Sequence, residues 1–151
     1  MNARVEDVRS GALTLRRGNY YDIGAINALG LEALKKFGDP RLRINPHKVA
    51  EMSRRVMHPG NYCHVAERDG KVVAAVSAIV EPMLFHERMC ASVVQFFAPR
   101  ETAAGAGILL LRDFLKWARS RHGINPRVSG HSQEFQWLRL KKLLEPAAKA
   151  G

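Results

Sequence analysis

Apolar and polar positions change their spacing several times along this chain, and each change marks an element. Between Ser92 and Ala98 the run SVVQFFA is rich in Val and Phe and predicts a buried strand. Pro99 ends it, because proline brings no backbone donor to a ladder. From about Gly107 to Arg121 the spacing turns helical. Leu111, Phe114, Leu115 and Ala118 form one stripe, with Leu110 and Trp117 on its flanks. Arg112, Asp113, Lys116, Arg119 and Ser120 are predicted to face away, and Gly123 to close the helix after a basic last turn.

The same reading applies to the rest of the chain. Ala12 to Arg16 predicts a short first strand. Asp22 to Phe37 predicts a helix with Ile23, Ile26, Ala33, Leu34 and Phe37 near one face. Gly24 and Gly30 lie inside it, each costing about 1 kcal/mol against alanine. Close packing or a nearby ligand would explain them, and so would loose helix packing. Gly38-Asp39-Pro40 stops this helix. Asn45-Pro46, a cap followed by proline at the first helical position, opens a second with Val49, Met52 and Val56 as its stripe. His58-Pro59-Gly60 ends it.

Tyr62 to Glu67 predicts a strand, Asp69-Gly70 a hairpin turn, and Lys71 to Val80 a strand buried on both faces. Glu81-Pro82 is expected to break that strand, and residues 83–89 to lead into the central one. Pro126 to Gly130 predicts a brief strand, and Glu134 to Leu144 a last helix with Trp137, Leu140 and Leu144 in line. The order is β-α-α-β-β-β-α-β-α, a mixed α/β fold with a meander in the middle. One domain is expected over residues 12–145, with a flexible N-terminus at 1–11 and a tail at 146–151.

Length and composition narrow the setting. A chain of 151 residues can bury one sizeable core. The longest apolar run, Val72 to Val80, is too short for a membrane helix, so no membrane partner is expected. MNARVEDVRS lacks the apolar centre of a signal peptide, and the expected location is cytoplasmic. Cys63 and Cys90 read as small core residues, without a disulfide or a metal. His58, Cys63 and His64 are close in sequence, but alternation separates Cys63 from His64, so a zinc site is not expected.

The net charge of +10 favours an anionic partner: a phosphorylated cofactor, nucleic acid or an acidic protein surface. The basic residues are spread without a dense arm, and a generally solvated basic surface accounts for them equally well. Aromatic residues do not interleave with them, so nucleic acid would lack a stacking platform.

The turn between the central strand and helix is the clearest candidate for chemistry. Ala103, Ala104, Gly105, Ala106 and Gly107 have almost no side chains, so a ligand can reach the backbone N–H groups of the helix start. Those donors lack partners inside the helix, and with its dipole they suit a phosphate. A tight bend alone would select the same residues. Two phosphate motifs are excluded. Ile108 follows Gly107 where a Walker loop needs lysine, and Leu110 stands where the dinucleotide fingerprint needs its third glycine.

Over roughly residues 12–145 the elements in this order resemble the GNAT acyltransferase superfamily. LTLRRGNYYDIGAINAL is similar to the family's first strand and helix, including Asp22 near the helix start. The spacing of Phe97, Pro99, Thr102, Gly105 and Gly107 is similar to the family's main signature, and Trp117, Ala118 and Gly123 continue the match. The chain looks especially like GNAT-like proteins encoded by bacterial viruses. The resemblance implies that the backbone amides of Thr102 to Gly107 hold the pyrophosphate of acetyl-CoA. It implies that the backbone around Phe97 and Ala98 pairs with the pantetheine arm and polarises the thioester carbonyl. Arg100 is a candidate partner for a CoA phosphate, or a solvated surface residue.

Three departures from the family pattern stand out. Thr102 replaces the usual Arg or Gln. The stretch LRLKKLLEP offers Arg139 and Leu140 where a general-acid tyrosine often stands. The family's C-terminal β-hairpin is expected to be missing, leaving a sheet edge for a homo-oligomer or assembly partner.

The function these residues imply is acetyl-CoA-dependent N-acetyl transfer to a small-molecule or protein amine. Candidate acid–base groups are Glu81 at the end of the buried strand, and His131 with Ser132 after the strand that follows the central helix. Each has an ordinary role as well: Glu81 as a strand end, His131 and Ser132 as turn and helix cap. Gln95 would orient an acceptor or be a satisfied polar residue of the core. The alternative function is a catalytically silent structural or binding protein of the same fold, such as a virion component. Nucleic-acid binding through the basic surface is a third, weaker reading.

Overall fold

Turn chemistry and alternation together build the sheet. The computed structural model describes residues 12–103, 105–121 and 124–127. The expected last helix, the missing hairpin and the two termini lie outside these residues. Strands β1 (Thr14–Arg17), β2 (Tyr62–Arg68), β3 (Lys71–Pro82) and β4 (Met89–Phe97) pair antiparallel in chain order. Strand β5 (Ile124–Arg127) pairs parallel with β4 at the sheet edge. Between β2 and β3, Asp69 and Gly70 take φ of 53° and 75°, the paired positive values of a tight hairpin whose twist matches its strands.

The expected break at Glu81-Pro82 does not occur. Strand β3 runs through Pro82, which pairs with Met89, and β4 accordingly starts three residues before Ser92. Proline is tolerated there because a strand end needs no further ladder donor. The Met83 amide closes the hairpin by donating to the Arg88 carbonyl at 2.8 Å.

Helices cover both faces. Helix α1 (Ile23–Phe37) follows a short 3-10 turn, where Asn19 and Asp22 cap each other's backbone reciprocally. Asp22 also takes two bonds from the Arg16 guanidinium, at 2.7 and 2.8 Å, which hold its carboxyl below the usual range. Helix α2 (Pro46–Val56) is capped by the Asn45 side chain, which accepts from the His47 and Lys48 amides. These two helices share one face. A single helical turn, α3 (Arg100–Ala103), leads into α4 (Ala106–Ser120) on the other.

Two apolar layers result. Under α4, Tyr62, Val76, Ala78 and Val93 pack against Leu110, Leu111, Phe114 and Ala118. Under α1 and α2, Ile26, Val56, Cys63, Val65 and Ala75 pack with Phe97 at their edge. Ala74 to Ile79 are buried throughout, as expected of a strand covered on both faces. Both cysteines are buried and free, and burial pushes the Cys63 thiol up to about 12. Two helix assignments need correction. Leu110 is fully buried rather than flanking the stripe. Asp113 does not face away: it accepts the Tyr62 hydroxyl at 2.6 Å and pairs with His64 Nδ1 at 2.9 Å, because the flank of α4 lies over β2. Among the described residues no helix is long and apolar enough to cross a membrane.

Candidate functional site

The turn after β4 is more structured than its composition suggests. Arg100–Ala103 is helical, and the Ala103 amide donates to the Pro99 carbonyl at 2.9 Å. Ala103 and Ala106 are buried, so their small side chains serve packing, and only their backbone can meet a ligand. Gly105 is the true turn residue, with φ 80° and ψ −15° in the left-handed region that disfavours a side chain. A methyl added there would meet nothing within 4 Å. Gly107 is small for a different reason: a methyl would lie 2.8 Å from the Phe96 ring and 3.1 Å from Ala98 Cβ. Helix α4 has no side-chain cap. The Leu109 amide donates to the Gly105 carbonyl at 3.3 Å, and helix geometry makes the amides of Ala106, Gly107 and Ile108 the first-turn donors that precede it. Positive dipole, first-turn donors and open space above Gly105 are the features from which an anion cradle would be built.

Strand β4 is itself irregular. Val93 pairs with Ala78 and Gln95 with Ser77, so Val94 is a bulge with no opposite residue, and it is 37 % exposed. On its other side, β4 pairs with β5 only over Met89 to Ser92 among the described residues. Alternate residues of an antiparallel strand turn their N–H and C=O away from the neighbour. Between Val94 and Phe97 those groups face away from β3, just before the turn that leads to α4.

The bulge also resets which side chains face α1 and α2. On that face β4 presents Cys90 and Ser92 before the bulge and Gln95 and Phe97 after it. Ser77 Oγ donates to Gln95 Oε1 at 2.6 Å, Gln95 Nε2 donates to Ser53 Oγ at 3.0 Å, and Ser53 Oγ donates to Asn27 Oδ1 at 2.6 Å. This polar chain crosses from sheet to helices through an otherwise apolar layer. Gln95 is 3 % exposed and bonded at both ends, which makes it a satisfied core residue. Ser53, Ser77 and Asn27 are not marked by any motif. Their only sequence signal is a lone polar position within an apolar run or stripe.

The remaining candidates are dispersed. Glu81 is exposed, stands opposite Cys90, and accepts the Ser92 hydroxyl at 3.3 Å. It shares the α1–α2 face but lies roughly 13 Å along the strand from the bulge. Arg100 is exposed at the start of α3, and Phe97 and Ala98 are half-buried. Ala104, His131 and Ser132 lie outside the described residues, as does the side chain of Thr102. No group of three or more His, Cys, Asp or Glu among the described residues can hold a metal ion.

A groove of about 1050 Å³ opens between the end of α1 and the start of α2, lined in part by Leu34, Ile44, Val49 and Lys48. One residue of its wall, Val49, stands near the end of β4. A methyl at Gly30 would lie 2.9 Å from the Phe97 ring and 3.4 Å from Val49 Cγ1, so strand end, helix and groove wall converge there. Close packing is thus the reason for Gly30.

No protein-family model matches the chain, and no curated protein matches it by sequence. Its fold does have counterparts among solved structures. An acetyltransferase of the GNAT family from Streptococcus pneumoniae superposes with a TM-score of 0.63 at 16% identity, over 87% of this chain and 83% of that one. A predicted acetyltransferase from Clostridium acetobutylicum, solved with acetyl-CoA, gives 0.62 at 15% identity, over 87% and 88%. An aminoglycoside acetyltransferase from an uncultured soil metagenomic sample, solved with trehalose, gives 0.65 at 15% identity, over 89% and 88%. The same enzyme has also been solved with sisomicin. The fold is therefore GNAT-like: a mixed α/β sheet, antiparallel through four strands, with helices on both faces.

Proposed function

We propose that this chain transfers an acetyl group from acetyl-CoA to an amine. The observation that carries the reading is the closeness, at one end of β4, of the Val94 bulge and the start of α4, which has no side-chain cap and follows the left-handed Gly105. An extended ligand arm with an amide and a diphosphate at one end matches that set of donors. The amides of Ala106, Gly107 and Ile108 would take the diphosphate, assisted by Arg100. Outward-turned backbone groups between Val94 and Phe97 would pair with the arm and donate to the thioester oxygen. Such fixed donors aimed at developing negative charge supply much of the barrier reduction in acyl transfer. The amine nitrogen then forms the new C–N bond, the C–S bond breaks, and the proton lost by the amine ends on the departing sulfur. The solved neighbour that carries acetyl-CoA supports the choice of donor.

The acid–base groups are a separate part of the proposal. Glu81 is a carboxylate on the α1–α2 face, roughly 13 Å along the strand from the bulge, and His131 with Ser132 are the alternatives. Replacing each in turn, and comparing the pH profile of kcat/KM, assigns the role to the variant whose limb disappears.

Calorimetric titration with acetyl-CoA tests the cradle. One site per chain is expected, and Gly105→Glu should abolish binding, because its carboxylate would enter the space the phosphates need. The strained backbone costs about 1–2 kcal/mol, so the variant should still fold. Unchanged affinity in folded Gly105→Glu would overturn the cradle. Absence of binding by the wild type would favour the silent structural protein instead.

A further inference from the structure

The groove between α1 and α2 has a charge as well as a shape. Lys35 closes the last turn of α1, Arg43 lies in the connection, and Lys48 sits in the first turn of α2; all three line the groove. None of the three has a carboxylate partner among the described residues. The one acid in the lining, Asp39, is engaged by the Arg41 guanidinium at 2.8 and 3.0 Å, which holds its carboxyl below the usual range. The groove is therefore positive without internal compensation. Lys35 suits its helix end, where cations meet the negative dipole. Lys48 does not: a cation in the first turn of a helix opposes the dipole, so its position is not explained by helix stability.

The floor is apolar, built from Leu34, Ile44 and Val49, and Leu42 projects at its rim with 70 % exposure. Val49 links this floor to Phe97 at the end of β4 through Gly30. An occupant lying along the floor would thus point one end toward the strand segment that receives the acetyl donor.

We infer that the groove binds the acceptor, and that the acceptor is a small amine with an apolar body and carboxylate groups. The inference rests on the proposed acetyl transfer for the word acceptor, but the ligand chemistry stands on the groove alone. Charge complementarity excludes a polycation such as sisomicin, although a neighbour of the same fold has been solved with that compound. Fold and acceptor chemistry are thereby separated: the shared architecture supplies the cradle, and the connection between α1 and α2 supplies the preference.

The test uses the full chain and three probes: the tetrapeptide Ala-Phe-Glu-Glu, its uncharged counterpart Ala-Phe-Gln-Gln amide, and sisomicin. Calorimetry at low salt should show the acidic peptide binding at least about tenfold tighter than the amide, with no measurable binding of sisomicin. The preference should fall as salt screens it. The triple variant K35E/R43E/K48E should lose the preference while its acetyl-CoA affinity is unchanged. Glu at 48 would complete a capping box with Asn45, so this variant should fold. The neutral triple variant K35Q/R43Q/K48Q should give the same loss. Equal affinity for the two peptides, a preference that survives the triple variants, or tighter binding of sisomicin would each overturn the inference. Failure of the two proposals is distinguishable. Selective peptide binding without acetyl-CoA binding rejects acetyl transfer alone, and acetyl-CoA binding without peptide selectivity rejects the acidic acceptor alone.

Discussion

The two faces of the sheet differ at the end of β4 in what they would offer a ligand. On the α4 face the chain withdraws its side chains. Ala103, Gly105, Ala106 and Gly107 leave only backbone, and what remains is a set of N–H groups in a fixed arrangement. On the α1–α2 face it does the reverse. Asn27, Ser53, Ser77 and Gln95 form a bonded chain through the core, and Lys35, Arg43 and Lys48 line the groove beyond it. Backbone recognition constrains glycine positions and leaves other residues free. Side-chain recognition can be retuned one substitution at a time. Under the proposed acetyl transfer, the difference teaches that the donor side would belong to the fold and the acceptor side to the individual sequence.

Breaking the side-chain face should have the largest effect. Gln95→Ala leaves the Ser77 and Ser53 hydroxyls without their buried partner and opens a cavity, a loss of about 3 kcal/mol readable by denaturant unfolding. Replacing the three buried members with apolar groups, as Ser53→Ala with Ser77→Ala and Gln95→Leu, should recover most of that loss, because only the half-buried Asn27 then loses a partner. If kcat/KM stays low in the triple variant despite recovered stability, the polar chain serves the acceptor and not the core.

Next in size is Asp22→Ala, which leaves the Arg16 guanidinium with Glu67 alone and removes half of the reciprocal cap of the 3-10 turn before α1. About 2 kcal/mol is expected. Because the folded carboxyl titrates below its unfolded value, this contribution is present above about pH 4 and is lost as pH falls through the depressed value. A comparison of wild type and variant from pH 7 to pH 2 should show the two stability curves converging in acid.

The backbone face should respond more mildly in stability and more sharply in binding. Gly107→Ala presses a methyl onto Phe96 and should cost about 1–3 kcal/mol. Gly105→Ala costs about 1 kcal/mol in backbone strain, since its methyl enters open space. If the cradle acts through backbone geometry, both should weaken acetyl-CoA binding measured by calorimetry. A Gly105→Ala variant with unaltered affinity would confine the requirement to Gly107.

The smallest effect is expected at His64. Burial lowers its pKa, and the Asp113 carboxylate opposes that shift. A lowered folded pKa means that its contribution is full above about pH 6.5 and declines as pH falls below it. Less than about 1 kcal/mol is at stake for a partly exposed pair, and His64→Gln should flatten thermal stability between pH 7 and pH 5 by that amount.

How far the sequence spoke for itself follows the same division. Local signals were enough for the elements: Asn45-Pro46 started α2 as a cap and first-turn proline must, and Asp69-Gly70 made the tight hairpin. The spacing of Gly105 and Gly107 marked the turn into α4, because a positive φ and a close helix–strand approach each demand glycine. The α1–α2 face was less legible. Ser53, Ser77 and Gln95 lie 18 to 42 residues from their partners, and nothing in a one-dimensional pattern announces that three isolated polar positions will meet. Asp113 was misplaced for the same reason: helical periodicity assigns it to solvent, and only the crossing of α4 over β2 brings Tyr62 and His64 beneath it. The strand ends were missed because proline was read as a breaker when it stands harmlessly at the last ladder position.

Val94 gives the chain a surplus of one. Ala91 and Val93 before it, and Phe96 and Ala98 after it, pack into the α4 layer only because this residue steps out of the count. Remove it, and the remaining letters still alternate correctly: every neighbour keeps its side, and the ladder becomes regular. A protein selected for economy of fold alone would have dropped it. The deletion should therefore yield a chain that folds at least as readily, with a regular β3–β4 ladder. If the proposed acetyl transfer depends on the bulge, evolutionary shortening by one residue at this point would end it quietly, with nothing in the hydrophobic pattern to betray the change.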